Sequence, residues 1–179
     1  MNNSVHRSAR SRLLYDKRRA AKLIALESLL FLSVIVLQTS VLARIRPFGG
    51  VPDLCFVTLI AISFFRGKEE GAVTGIAAGF AVEALGSQGV ALLPVIYLFC
   101  GYVCGHFTRA IVPKRFSAYL TVAAAALPVR FAVTLIYICL TYSTINLPQI
   151  LLHNLLPELL ATAVFVPLLY FPAKWLHRI

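Results

Sequence analysis

Charge is scarce in this sequence. Only 13% of its 179 residues are Asp, Glu, Lys or Arg, about half the ~25% of a soluble globular domain. No stretch is long and polar enough to form a domain outside a membrane. Cysteine chemistry is missing too. Cys55, Cys100, Cys104 and Cys139 all fall inside apolar runs, without C-x-x-C spacing or clustered histidines. They indicate neither a disulfide framework nor a zinc site and read as buried reduced thiols. There is no G-x-x-x-x-G-K-[ST] loop to cradle phosphates, and no nucleophile beside a His and a carboxylate at a recognisable spacing. No metal or cofactor is called for. These absences weigh against a soluble enzyme, a nucleotide-binding fold and a nucleic-acid reader. A lipid-modifying membrane enzyme has no motif to support it either.

What is present is apolar. Hydrophobic residues make up 59% of the chain and the mean hydropathy is +0.82, which places it in the membrane class. A helix needs about 20 apolar residues to cross a bilayer, so the chain past residue 22 has room for about six. The runs cover residues 23–43, 51–65, 71–85, 90–112, 117–141 and 148–175. The second and third have 15 residues each and suit a tight helical hairpin about the polar turn Arg66-Gly67-Lys68-Glu69-Glu70. Pro157, Pro167 and Pro172 should bend the sixth. Val41-Leu42-Ala43 passes for a signal-peptide cleavage site, but the run before it is too long for an h-region and reads as a retained helix. The expected fold is an all-α integral membrane protein with six transmembrane helices. A basic segment over 1–22 precedes a single polytopic membrane domain over 23–176.

The net charge of +10 has a telling distribution. Seven of the 17 Lys and Arg lie between Arg7 and Lys22, directly before the first apolar run. Such a segment orients the chain and contacts anionic membrane lipid. A nucleic-acid arm would interleave stacking aromatics, and only Tyr15 is there. With this segment inside, the inner segments hold 14 basic residues and the outer loops only Arg44 and Arg46. That bias puts both termini in the cytoplasm.

Ionisable residues within apolar spans are candidates for function. Here they are Asp53, Glu83, Arg130 and Glu158, with His106 and His153 nearer the edges. Counted along their spans, Glu158 lies about 15 Å deep from the outer side and Arg130 about 20 Å from the inner side. In a core about 30 Å thick the two are level enough to pair. A pair that fixes helix register is the plainer reading, and a substrate or proton site is the alternative. Asp53 and Glu83 are expected to lie shallower, toward the outer surface.

Gly67, Gly71, Gly75 and Gly79 recur every four residues, Glu83 continues the step, and Gly101 and Gly105 repeat it. This spacing gives a smooth stripe where helix backbones approach closely. Internal helix packing is the plainer use, with a dimer or partner face as the alternative.

Several of these residues come in an order that resembles the rod shape-determining MreD family of bacteria. Val51-Pro52-Asp53-Leu54 looks like the family's Pro-Asp-Leu span opening. Arg66-Gly67, Gly71, Gly75 and Gly79-Phe80 follow, and then Glu83-Ala84-Leu85-Gly86-Ser87-Gln88-Gly89, where the family usually has Asp in place of Glu83. Tyr97 and Gly101-Tyr102 match the next span, and Gln38 fits a Leu-Gln pattern in the first. The resemblance covers residues 30–106 and otherwise rests on length and span count. It implies a non-enzymatic scaffold of the cell-elongation machinery in the bacterial cytoplasmic membrane. Such a scaffold binds a bitopic MreC-like protein and helps couple MreB filaments to the peptidoglycan synthases. The family is also similar in fold to the substrate-binding S subunits of energy-coupling-factor vitamin transporters. An S subunit is the alternative reading, and would need an outward cavity lined by groups such as Asp53, Glu83, Asn146 and Arg130. Gln38, Asp53, Gly71, Gly75, Gly79, Glu83, Gly101 and Gly105 are the candidates for helix packing or partner contact.

Overall fold

The computed structural model describes residues 21–85, 92–110, 115–141 and 151–178. Residues 1–20 of the basic segment, the turn at 86–89 and Asn146 lie outside them. Every regular element is helical, with no strand among the described residues. Helix α1 runs Ala21–Ile45 and contains a π-helical turn at Leu37–Leu42. Helices α2 (Leu54–Arg66), α3 (Lys68–Ala84), α4 (Leu93–Ala110) and α5 (Phe116–Thr141) follow. Helix α6 (Leu156–Arg178) is preceded by a π-helical turn at Leu151–Leu155.

Among the described residues, three segments are long and apolar enough to cross a membrane: Ala21–Ile45, Phe116–Leu140 and Leu156–Leu176. Leu54–Arg66 and Leu93–Thr108 are shorter apolar helices. The outward surfaces of the bundle stay apolar: Leu140 is 82% exposed, Val73 69% and Phe171 66%. Large aliphatic and aromatic side chains exposed along whole helices suit lipid rather than water. This all-helical architecture, with long apolar helices and apolar outer surfaces, is compatible with a helical membrane protein.

At its centre is α2. All of its residues from Leu54 to Phe65 are buried, because α3, α4, α5 and α6 each pack against it. With 13 residues it is about 20 Å long, too short to cover a ~30 Å core alone. Its start at Asp53 lies inside protein, and the backbone groups there need protein partners. At the start, Asp53 is the N-cap and its Oδ1 accepts from the Phe56 N–H at 3.0 Å. Gln38, on the π-helical turn of α1, accepts from the Cys55 N–H through Oε1 at 3.2 Å. At the far end Gly67 adopts φ 101°, a backbone conformation open to glycine, and the chain reverses into α3.

The glycine stripe is used inside the chain. Glycines 71, 75 and 79 are buried on one face of α3, and α4 lies directly on that face. A Cβ on Gly71 would come within 2.6 Å of the Gly101 carbonyl oxygen, one on Gly75 would overlap the Tyr97 carbonyl, and one on Gly105 the Gly67 backbone. The opposite face of α3 turns Val73, Ile76 and Phe80 outward. Gly50 plays a similar part before α2, where a Cβ would overlap the backbone of Pro157 and Glu158. That contact brings the loop before α2 against the start of α6.

The helices alternate in direction. The C-terminal part of α1 and the N-terminal ends of α2, α4 and α6 gather near Asp53. At the other end of the bundle, Phe64, Phe65, Phe116, Tyr119 and Tyr170 form an aromatic cluster with ring centroids 5.0–5.7 Å apart. There the Tyr119 hydroxyl donates to the Val166 carbonyl at 3.1 Å, tying α5 to α6.

Candidate functional site

Two arginines organise the bundle, one at each end of α2. The first is Arg130 on α5, which is 1% exposed. Its Nη1 lies 3.1 Å from Glu158 Oε1 on α6, and its Nη2 2.5 Å from Asp53 Oδ2 before α2. The guanidinium also lies 5.4 Å from the Phe56 ring centroid and 5.2 Å from that of Phe131, in cation–π range. Asp53 is fully engaged. Beyond the Phe56 N–H and Arg130, its Oδ2 accepts from the Tyr97 hydroxyl on α4. Its own N–H donates to Thr162 Oγ1 at 3.0 Å, and that hydroxyl donates to the Glu158 carbonyl at 2.7 Å. Asp53 thus joins α2, α4, α5 and α6, and Gln38 brings α1 to the same place.

The depth count from the sequence put Arg130 level with Glu158 and left Asp53 aside as shallower. The structure draws Asp53 into the same cluster, because the loop before α2 dips between the helices at Gly50. Glu83 stays apart. It is half-buried near the end of α3 and makes no ion pair with a described residue. The cluster is closed: Asp53 and Arg130 are each 1% exposed, and only Glu158, with a side chain 20% exposed, can be reached. Its chemistry is that of a lock. Opposite charges are held in a buried site and bonded to one another through both Arg130 Nη atoms, and removing one partner strands the rest. No group of His, Cys, Asp and Glu among the described residues could hold a metal ion.

The second arginine is Arg66, at the end of α2. Its Nε lies 2.8 Å from Glu27 Oε1 on α1 and its Nη1 2.7 Å from Glu70 Oε2 on α3. This centre is looser, since the Glu70 side chain is 56% exposed. It stands at the mouth of a groove of about 1010 Å³ between α1 and α3. Glu27 was missed in the sequence reading, although as an ionisable residue within the first apolar run it meets the same criterion as Asp53 and Glu83. Its signal is a carboxylate in register with Phe31 and Ile35 on the buried face of α1.

No family model matches the chain, and neither a curated protein nor a solved structure is detectably similar to it.

Proposed function

We propose that this chain is a non-enzymatic scaffold of the bacterial cell-elongation machinery, of the MreD type. In this reading it crosses the cytoplasmic membrane six times with both termini inside, and it holds a bitopic MreC-like protein and the elongation synthases in one complex. MreB filaments are engaged directly or through those partners.

One observation carries the reading. The motif residues behind the resemblance are scattered over the sequence from Gln38 to Gly105, and apart from Glu83 several of them meet in one packed unit. Asp53 accepts from Tyr97, Gln38 caps the helix that Asp53 begins, and Gly71 packs against Gly101. Residues that share an order in the sequence and a contact in space have a common structural task. The alternating helix directions support six crossings, and the basic residues support a cytoplasmic Arg66 end. The described part is almost wholly helical, so partners of such a protein are met chiefly within the bilayer, through helix packing.

The reading is tested by depletion in a rod-shaped host. Depleted cells should round up and lose the orderly insertion of lateral wall. Unchanged shape and wall synthesis would contradict it.

A further inference from the structure

The groove beside Arg66 is a feature of the structure that the scaffold reading leaves unused. Its walls are α1, from Leu23 to Ile35, and α3, from Glu69 to Ala81, and Phe64 and Phe65 of α2 form its back. One end is charged and the remainder apolar. Along α1 the lining runs from Leu23 to Ile35 and along α3 from Glu69 to Ala81, about 18 Å on each. Half of a ~30 Å hydrocarbon core is about 15 Å. The groove is therefore about as deep as one leaflet with part of its interfacial layer, and far short of two, with its charges toward the end where that leaflet meets water. Beyond it the seam closes, leaving a void of only about 10 Å³ beside Gln38, Cys55 and Val82. A partner helix crossing the membrane needs a track through both leaflets. A lipid chain needs one.

The charges choose the headgroup. Glu27, Glu69 and Glu70 face the groove with Arg66 as their only cation among its lining residues. Lys68 does not line it and lies 5.9 Å from the Tyr102 ring centroid. Glu69 and Glu70 are exposed at the rim. Such a mouth attracts an ammonium group and repels a net anionic head. We infer that the α1–α3 groove binds a phospholipid with a primary-ammonium headgroup, one acyl chain lying between Phe31 and Ala77 and the ammonium beside Glu69 and Glu70. This runs against the chain's overall charge of +10, which taken alone favours anionic lipid. It does not depend on the scaffold reading.

The test is native mass spectrometry of the full-length protein in mild detergent, titrated with equal amounts of phosphatidylethanolamine and phosphatidylglycerol. Three proteins are compared: wild type, Glu69→Gln/Glu70→Gln, and Ala77→Trp. Ala77 is exposed in the groove wall, so Trp there fills the groove without entering the core. Adducts lost in Ala77→Trp are those of the groove. Among them the wild type should favour phosphatidylethanolamine about tenfold, the effect of one charge-assisted hydrogen bond. The double Gln variant should bring that ratio close to one. Gel filtration of both variants should match wild type. The inference is overturned if Ala77→Trp, eluting as wild type, loses no adduct. It is equally overturned if the groove lipid is phosphatidylglycerol, or if the preference survives in the double Gln variant.

Discussion

Arg130 and Arg66 are each held between two carboxylates, at opposite ends of the same short helix, and the structure uses them differently. Around Arg130 the site is closed except at Glu158: Asp53 is tied to four other groups, and the cluster joins elements far apart in sequence. Around Arg66 one carboxylate, Glu27, is nearly buried while Glu70 is exposed, and a groove opens beside them. The same ionic chemistry is a fastener when dry and an entrance when wet. The reason is dielectric. Charges in a dry site interact strongly and tolerate no loss of a partner, whereas exposed charges are screened and replaceable. In a membrane this matters more than in water, since lipid is as apolar as the core and hydrophobic burial does little to hold helices together.

The comparison can be broken most directly at Arg130. Replacing it with Met should remove about 3–5 kcal/mol of stability, because Asp53 and Glu158 are left without their cation. Reversible unfolding in mixed micelles measures this, and a loss no larger than that of an Arg66→Met variant would erase the contrast. Next comes the packing between the two centres. Gly75→Leu drives a side chain into the Tyr97 carbonyl and should cost about 1–3 kcal/mol by overpacking, read in the same unfolding assay. A neutral Gly75→Leu would mean that α3 and α4 can separate freely.

Smaller changes sharpen the contrast. Tyr97→Phe removes one donor from Asp53 and should cost about 1 kcal/mol, a typical net hydrogen bond. A double-mutant cycle with Asp53→Asn should show coupling, and simple additivity would say that the hydroxyl does not hold the carboxylate. Gln38→Ala removes a cap from the buried start of α2 and should cost about 1 kcal/mol or less, seen as faster hydrogen exchange at the Cys55 amide. Exchange unchanged from wild type would argue against the cap. Smallest of all is Glu70→Gln, at the open centre, which should change stability by about 0–1 kcal/mol, as exposed ion pairs do. A loss comparable to that of Arg130→Met would show that the Arg66 centre is also a fastener.

Much of the helical layout was legible. The six apolar runs overlap the six helices, since lipid imposes helix and length together. The contact of Arg130 with Glu158 was within reach of a residue count, because both sit on long helices where count converts to distance. Asp53 was not, because that count assumes a span starting at the membrane surface. The loop before α2 instead starts inside the protein, drawn in by the backbone contact of Gly50 with α6. Four-residue spacing disclosed a smooth face on α3, but nothing in it names α4 as the helix that uses it. The groove was invisible for a different reason. It is a gap between α1 and α3, and a gap depends on the angle between helices rather than on any residue pattern.

The central claim is that the chain serves as a scaffold in cell elongation, and its partners test it most directly. The tagged protein is recovered in mild detergent from its own host, and the proteins that come with it are identified by mass spectrometry. The account predicts a bitopic MreC-like protein together with peptidoglycan synthases. Recovery instead of a large membrane subunit with paired ATPases would contradict it, and would make this chain the binding subunit of a transporter.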